Sequence, residues 1–254
     1  MTSRPSCTTV YLSPGSPPAV VVQKLLHLAF KEYRWFKPAP DRIFDEDASL
    51  GPDCLNYSAR LAYYDRSHSV SISDRTQQEY LSVSTSARTE FPFVGRISWS
   101  VSVNEPNKVE WLDAHLRQVM EVMRLVGSTM AQAAMIDDVY RKEERFIPNS
   151  DGIGTTQTFT VRDPSEGLAG LFWRNVFGPP FARMFGERLQ LLPPDTVREL
   201  GDGLTLVQPY ALPTQAMTPE GDAAEARLIT VLGPECFYDH QRHRKPTRVP
   251  DLSP

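Results

Sequence analysis

A chain of 254 residues, 41% hydrophobic and 23% charged, lies in the ordinary range for a folded globular protein and can bury a sizeable core in one domain or two lobes. Its formal net charge of −4 argues against nucleic acid and against an anionic membrane surface as partners, because both attract cationic faces. Proline is frequent at 22 residues and glycine sparse at 14, a balance that favours stiff loops over flexible linkers.

The first segment reads strand, turn, helix. TTVYLS alternates, SPGSPP breaks it, and AVVVQKLLHLAFKEY carries apolar residues at Val20, Leu25 and Leu28; the prolines suit a helix start, where the missing donor is not needed. KPAPDRIFDEDASLGPD reads as extended loop. From Asn56 to Val103 the pattern is read as strands, clearest in YLSVSTS (80–86) and FVGRISWSVSV (93–103). In the latter, Ile97, Trp99, Val101 and Val103 oppose Val94, Arg96, Ser98, Ser100 and Ser102, the mark of an antiparallel sheet covered on one side.

A helix over 105–126 follows, opened by Pro106 and closed by Gly127. Its stripe is Val109, Leu112, Leu116, Val119, Met120, Met123 and Val126, widened by Trp111, Val122 and Leu125, as a helix packed on a sheet requires. Then come a strand at AQAAMID (131–137), a charged stretch DDVYRKEERF, a polar loop PNSDGIGTT and a strand at TQTFTVRD. GLFWRNVFGPP (170–180) places large apolar side chains on both faces of a strand, so its rings read as core, with Asn175 bonded to nearby backbone. A short helix around PFARMFGERL, a helix start at PPDTVREL with Asp195 near its N-terminus, a turn into a strand at GDGLTLVQPY and a last helix over 218–233 complete the chain. Ala224, Leu228, Ile229 and Leu232 form the stripe of that last helix.

Cys7, Cys54 and Cys236 are odd in number, far apart and without C-x-x-C, which reads as free thiols of a reducing compartment. No apolar run reaches the length of a signal-peptide core or of a membrane-spanning helix, so the expected location is cytoplasmic. CFYDHQRHRKP offers Cys236, Asp239, His240 and His243 as metal-ligand types, but no upstream pair completes a site, and His27, His68 and His115 are scattered. Neither a nucleophile elbow nor a phosphate loop is present, and DGIGTT lacks the lysine a phosphate cradle needs. No catalytic residue, metal or cofactor is expected. The alternative is a metal-dependent enzyme using the Cys236, Asp239, His240 and His243 cluster; a non-catalytic scaffold is the other.

FWRNVFGPPFARMFGERL, VRELGDGLTLVQPYALPT and ARLITVLGPECF, within residues 156–238, resemble the C-terminal half of bacterial immunity proteins of the Imm52 kind, and the broader type VI, polymorphic-toxin immunity proteins. The resemblance implies a cytoplasmic α+β protein that binds a cognate toxin and neutralises it by blocking its active site, with no catalytic residue of its own. A mildly acidic surface would suit a basic toxin through charge steering. The acidic residues Asp45, Glu46, Asp47, Asp137 and Asp138, clustered outside the apolar stripes, are the expected toxin contacts. The expected architecture is a single α+β domain, 1–254, with a mainly antiparallel sheet packed by helices near 19–33, 105–126 and 218–232. Two similar βαβ-type lobes, 1–140 and 141–254, are the alternative, and residues 241–254 read as a flexible tail.

Overall fold

The alternation of YLSVSTS and FVGRISWSVSV builds neighbouring strands: β1 (Pro5–Tyr11), β2 (Ser69–Ser73), β3 (Tyr80–Ser84) and β4 (Arg96–Ser102) pair in the order β2-β3-β4-β1. This is seen in a computed structural model that describes residues 5–15, 17–40, 55–86, 91–102 and 109–252. The chain divides into two units, 1–128 and 129–254, and among the described residues the strand pairs within each are antiparallel. The fold is α+β, with helices packed on antiparallel sheet.

Register in the first unit sorts side chains into rows. Val70, Val83, Ile97 and Val10 lie opposite one another across four strands, as do Ile72, Leu81, Trp99 and Thr8. The apolar members of both rows are buried. Directly opposed residues share a face, so the other face carries Ser71, Ser82, Ser98 and Thr9. Ser71 is exposed at the sheet's edge, yet Ser98 and Ser100 are buried. The one-sided coverage expected from sequence therefore holds at β2 and fails at β4. These side chains are short, and Thr9 and Cys7 lie directly beside them, with the Thr9 hydroxyl 3.2 Å from that of Ser98.

Helix α1 (Ala19–His27) buries Val22, Leu25 and Leu26 and runs into a π-helical turn, Leu28–Glu32. Residues 57–67 form helix α2 (Tyr57–Ser67), not the strand expected there. The Asn56 side chain caps it by accepting from Ala59 N–H at 3.0 Å, and His68 closes it in the left-handed conformation. Helix α3 is described over Val109–Val126, with Leu116, Val119, Met120, Val122 and Met123 buried; Pro106 lies outside the described residues. Val109 is 68% exposed, so the stripe begins a turn later than its pattern implies. Gly127, with φ of 64°, ends the helix as expected.

The second unit has strands β5 (Met130–Met135), β8 (Arg174–Phe177), β10 (Leu204–Val207) and β9 (Val197–Gly201) in that order, and a separate hairpin of β6 (Glu144–Pro148) with β7 (Thr155–Phe159). Its helices are α4 (Ile136–Glu143), α5 (Pro179–Phe185) and α6 (Pro219–Leu232). Both units open strand then helix, but their strand orders differ. The segment expected to start a helix at 193–200 contains β9. Gly201, Asp202 and Gly203, all at positive φ, turn it back on β10, the backbone that a tight hairpin demands.

Leu171, Phe172, Trp173, Val176 and Phe177 are each at most 1% exposed, so GLFWRNVFGPP is core. Asn175 accepts from Phe172 N–H at 3.0 Å and donates to Phe172 and Val207 carbonyls at 2.9 and 3.0 Å. Phe177 packs on Phe181 and Phe185 of α5, with ring centroids 5.3 and 5.2 Å apart. Residues 241–252 are mostly exposed, with Lys245 paired to Glu166 at 2.7 Å and the amides of Thr247 and Arg248 each 2.9 Å from the Glu235 carbonyl. Among the described residues, no helix is long and apolar enough to cross a membrane.

Candidate functional site

Two features of the second unit depart from ordinary packing: a buried cluster of charge and an exposed apolar hairpin. The cluster centres on Lys142. Its ammonium reaches Asp138 Oδ2 at 3.0 Å, Glu225 Oε2 at 2.7 Å and the Leu171 carbonyl at 2.5 Å, with the Phe172 ring centroid 4.9 Å away. An ammonium has three donors, and all three are used. Helix α4 positions the pair, because Asp138 and Lys142, four residues apart, fall on one face. Helix α6 supplies Glu225, whose Oε1 also accepts from Leu171 N–H at 3.0 Å.

Gly170 is required here. A Cβ at that position would lie 2.9 Å from Glu225 Oε1 and 3.1 Å from Lys142 Cδ. At the cluster's rim, Arg141 bridges Asp138 and Asp222, at 2.8 Å to each. Burial pushes the Glu225 carboxyl above its ordinary range, against the pull of Lys142. The buried Tyr210 hydroxyl has no hydrogen-bond partner among the described residues, and burial together with the charges of Asp138 and Glu225 pushes its phenol up. With its donors spent, Lys142 is a fixed charge joining two helices to the 168–173 segment, not a free base or nucleophile.

The hairpin is the opposite case. Phe146, Phe159 and Ile153 are 62%, 54% and 78% exposed. Register sets Phe159 opposite Glu144 and Phe146 opposite Gln157, so the two rings are diagonal neighbours on one face. Tyr140 of α4 and Ile147 are exposed nearby in sequence. Such a concentration of apolar surface marks an interaction site more often than isolated exposed residues do.

The acidic residues expected to meet a partner are distributed differently. Asp45, Glu46 and Asp47 lie outside the described residues. Asp137 is half-buried in the first turn of α4. Asp138 is fully buried, with both oxygens in ion pairs; it is an internal residue, because helix formation turns it inward where a loop would have left it outside.

The C-terminal string does not converge. Cys236 is fully buried, its thiol pushed up by burial. Asp239 Oδ1 accepts from the amides of Gln241 and Arg242 at 3.0 and 2.9 Å. His240 Nε2 lies 2.7 Å from the Ala169 carbonyl, and His243 is exposed at φ of 54°. Among the described residues, no three His, Cys, Asp or Glu side chains are grouped to hold a metal. His115 is buried in the first unit with Nε2 2.9 Å from the Thr8 hydroxyl.

The molecule is thus an α+β protein whose second unit presents a hairpin. No family model matches the chain and no curated protein matches it in sequence, so the Imm52 resemblance of residues 156–238 stands on those residues alone. Among solved structures, the chain is similar to a Pseudomonas aeruginosa T6SS (type VI secretion system) protein. The TM-score is 0.52 at 11% identity, covering 90% of this chain and 73% of that one. At that identity the likeness is one of fold.

Proposed function

We propose that this chain is an immunity protein of a type VI secretion system, acting in the cytoplasm, which binds a cognate toxin and blocks its active site. The observation that carries the reading is the fold shared over 90% of the chain with a T6SS protein of Pseudomonas aeruginosa. The Imm52 resemblance of residues 156–238 supports it from the sequence. The reading takes the chain as non-catalytic, its function residing in surface complementarity. A net charge of −4 suits a basic toxin, whose approach it would steer.

The test is co-expression with the toxin domain encoded by the neighbouring gene. Growth restored by this chain, together with a co-purifying one-to-one complex, is the expected result. Toxicity unchanged by the chain, with no complex on gel filtration, overturns the proposal.

A further inference from the structure

The hairpin has two outer edges, and they are not equivalent. The ladder bonds Thr160 N–H to the Glu143 carbonyl at 2.9 Å and Asn149 N–H to the Gly154 carbonyl at 3.2 Å. Bonded pairs alternate along an antiparallel ladder, so Thr156 and Thr158 turn their backbone groups toward β6. The amides and carbonyls of Thr155, Gln157 and Phe159 therefore face away from it. On β6 the outward positions are Glu144, Phe146 and Pro148. Pro148 has no amide to offer and Glu144 brings a charge, both devices that guard an edge against pairing. Thr155 to Phe159 contains neither charge nor proline, and all but Thr158 are exposed.

We infer that the outer edge of β7 receives an extended segment of the toxin as a third strand; this rests on the immunity reading. The segment is uncharged, matching an edge without charge. It carries apolar side chains at alternate positions, one of which covers Phe159 while its backbone pairs with Thr155, Gln157 and Phe159. Strand addition of this kind takes affinity from main-chain bonds and specificity from alternate side chains. A second copy is a poorer occupant. Two five-residue strands, each about 17 Å long, pair over far less than the roughly 800 Å² per partner of a stable dimer, whereas a toxin adds the contacts that block its active site.

Amide hydrogen exchange on the chain alone and on its co-purified complex with the neighbouring toxin domain tests this. Protection gained at Thr155, Gln157 and Phe159, with little change at Thr156 and Thr158, is the expected pattern. Gln157→Pro removes an outward amide without breaking the ladder to β6, and should weaken binding about tenfold or more. Phe159→Ala should weaken it roughly thirtyfold, as for an interface hot spot. A complex that forms without that alternating protection, and that both variants enter with wild-type affinity, overturns strand addition while leaving the immunity reading intact. No complex at all removes both. A concentration-dependent dimer of the free chain with the same three amides protected assigns the edge to a second copy and overturns the toxin assignment.

Discussion

The two units secure their helices by different means. In the first, α1 and α3 bury apolar side chains, and the apolar rows Val70-Val83-Ile97-Val10 and Ile72-Leu81-Trp99 are buried with them. A hydrogen bond between the His115 ring and the Thr8 hydroxyl joins α3 to β1. In the second, α4 and α6 meet through Asp138, Lys142 and Glu225. Apolar packing is non-directional and adjusts to small changes. A buried ion cluster tolerates none, because each desolvated charge depends on its partner. In the second unit these bonds anchor the α4 end from which the exposed hairpin departs, Glu144 following directly on Glu143.

Removing the central charge is the severest way to break this contrast. Lys142→Met leaves Asp138 and Glu225 buried without their shared cation and should cost about 3–5 kcal/mol in urea unfolding. Adding Glu225→Met to it should recover part of that loss, since two uncompensated charges become one that Arg141 already holds. A double variant no more stable than the single would show that the cluster's ionic pairing is not what the second unit depends on.

In the first unit, Met123, 1% exposed, should cost about 2–5 kcal/mol as Met123→Ala and less than about 1.5 as Met123→Leu. The corresponding conservative change in the second unit, Lys142→Arg, should not be mild. A planar fork does not fit three acceptors arranged around one ammonium, and Gly170 leaves no room beside it. Equal tolerance of Met123→Leu and Lys142→Arg in thermal melts would erase the distinction. Thr8→Val, which removes the hydroxyl bonded to the His115 ring, should cost only about 1 kcal/mol.

The same contrast governs what was legible in the sequence. Strands β3 and β4 and helix α3 could be read because their buried residues are apolar at the right period. Helices α2 and α4 could not. Their buried side chains are Arg60 with Tyr64, and Asp138 with Lys142, which leave no apolar stripe. Asn56 as a cap, and an acid four residues before a lysine, were the signals present, but only tertiary packing decides that such a pair points inward. Strand β9 is an exposed edge and so lacks alternation, although Gly-Asp-Gly between it and β10 was a readable hairpin turn. In the candidate site, the acidic run at 136–140 was visible and its direction was not. The hairpin's apolar exposure depends on its standing apart as a two-stranded sheet of its own, which no local pattern encodes.

The smallest expected effect compares two glutamates of the second unit. Glu225 is raised above its ordinary value of 4.5 by burial, although Lys142 opposes the shift. Glu166 is also pushed up by partial burial, but Lys245 and Arg162 outweigh that and hold it below 4.5. The two carboxyls should therefore titrate on opposite sides of that value by carbon-13 NMR. A raised carboxyl binds its proton more tightly folded than unfolded, so Glu225 contributes stability that is complete below pH 4.5 and lost as pH rises through its folded value. Glu166 contributes stability present above pH 4.5 and lost as pH falls through its depressed value. Lys245 is about half exposed, so solvent screening keeps the second contribution below about 1 kcal/mol. Lys245→Ala should move the Glu166 midpoint upward and leave Glu225 in place, whereas Lys142→Met should raise Glu225 further. Midpoints for both residues on the same side of 4.5 would mean that the buried cluster and the surface pair are not electrostatically different environments.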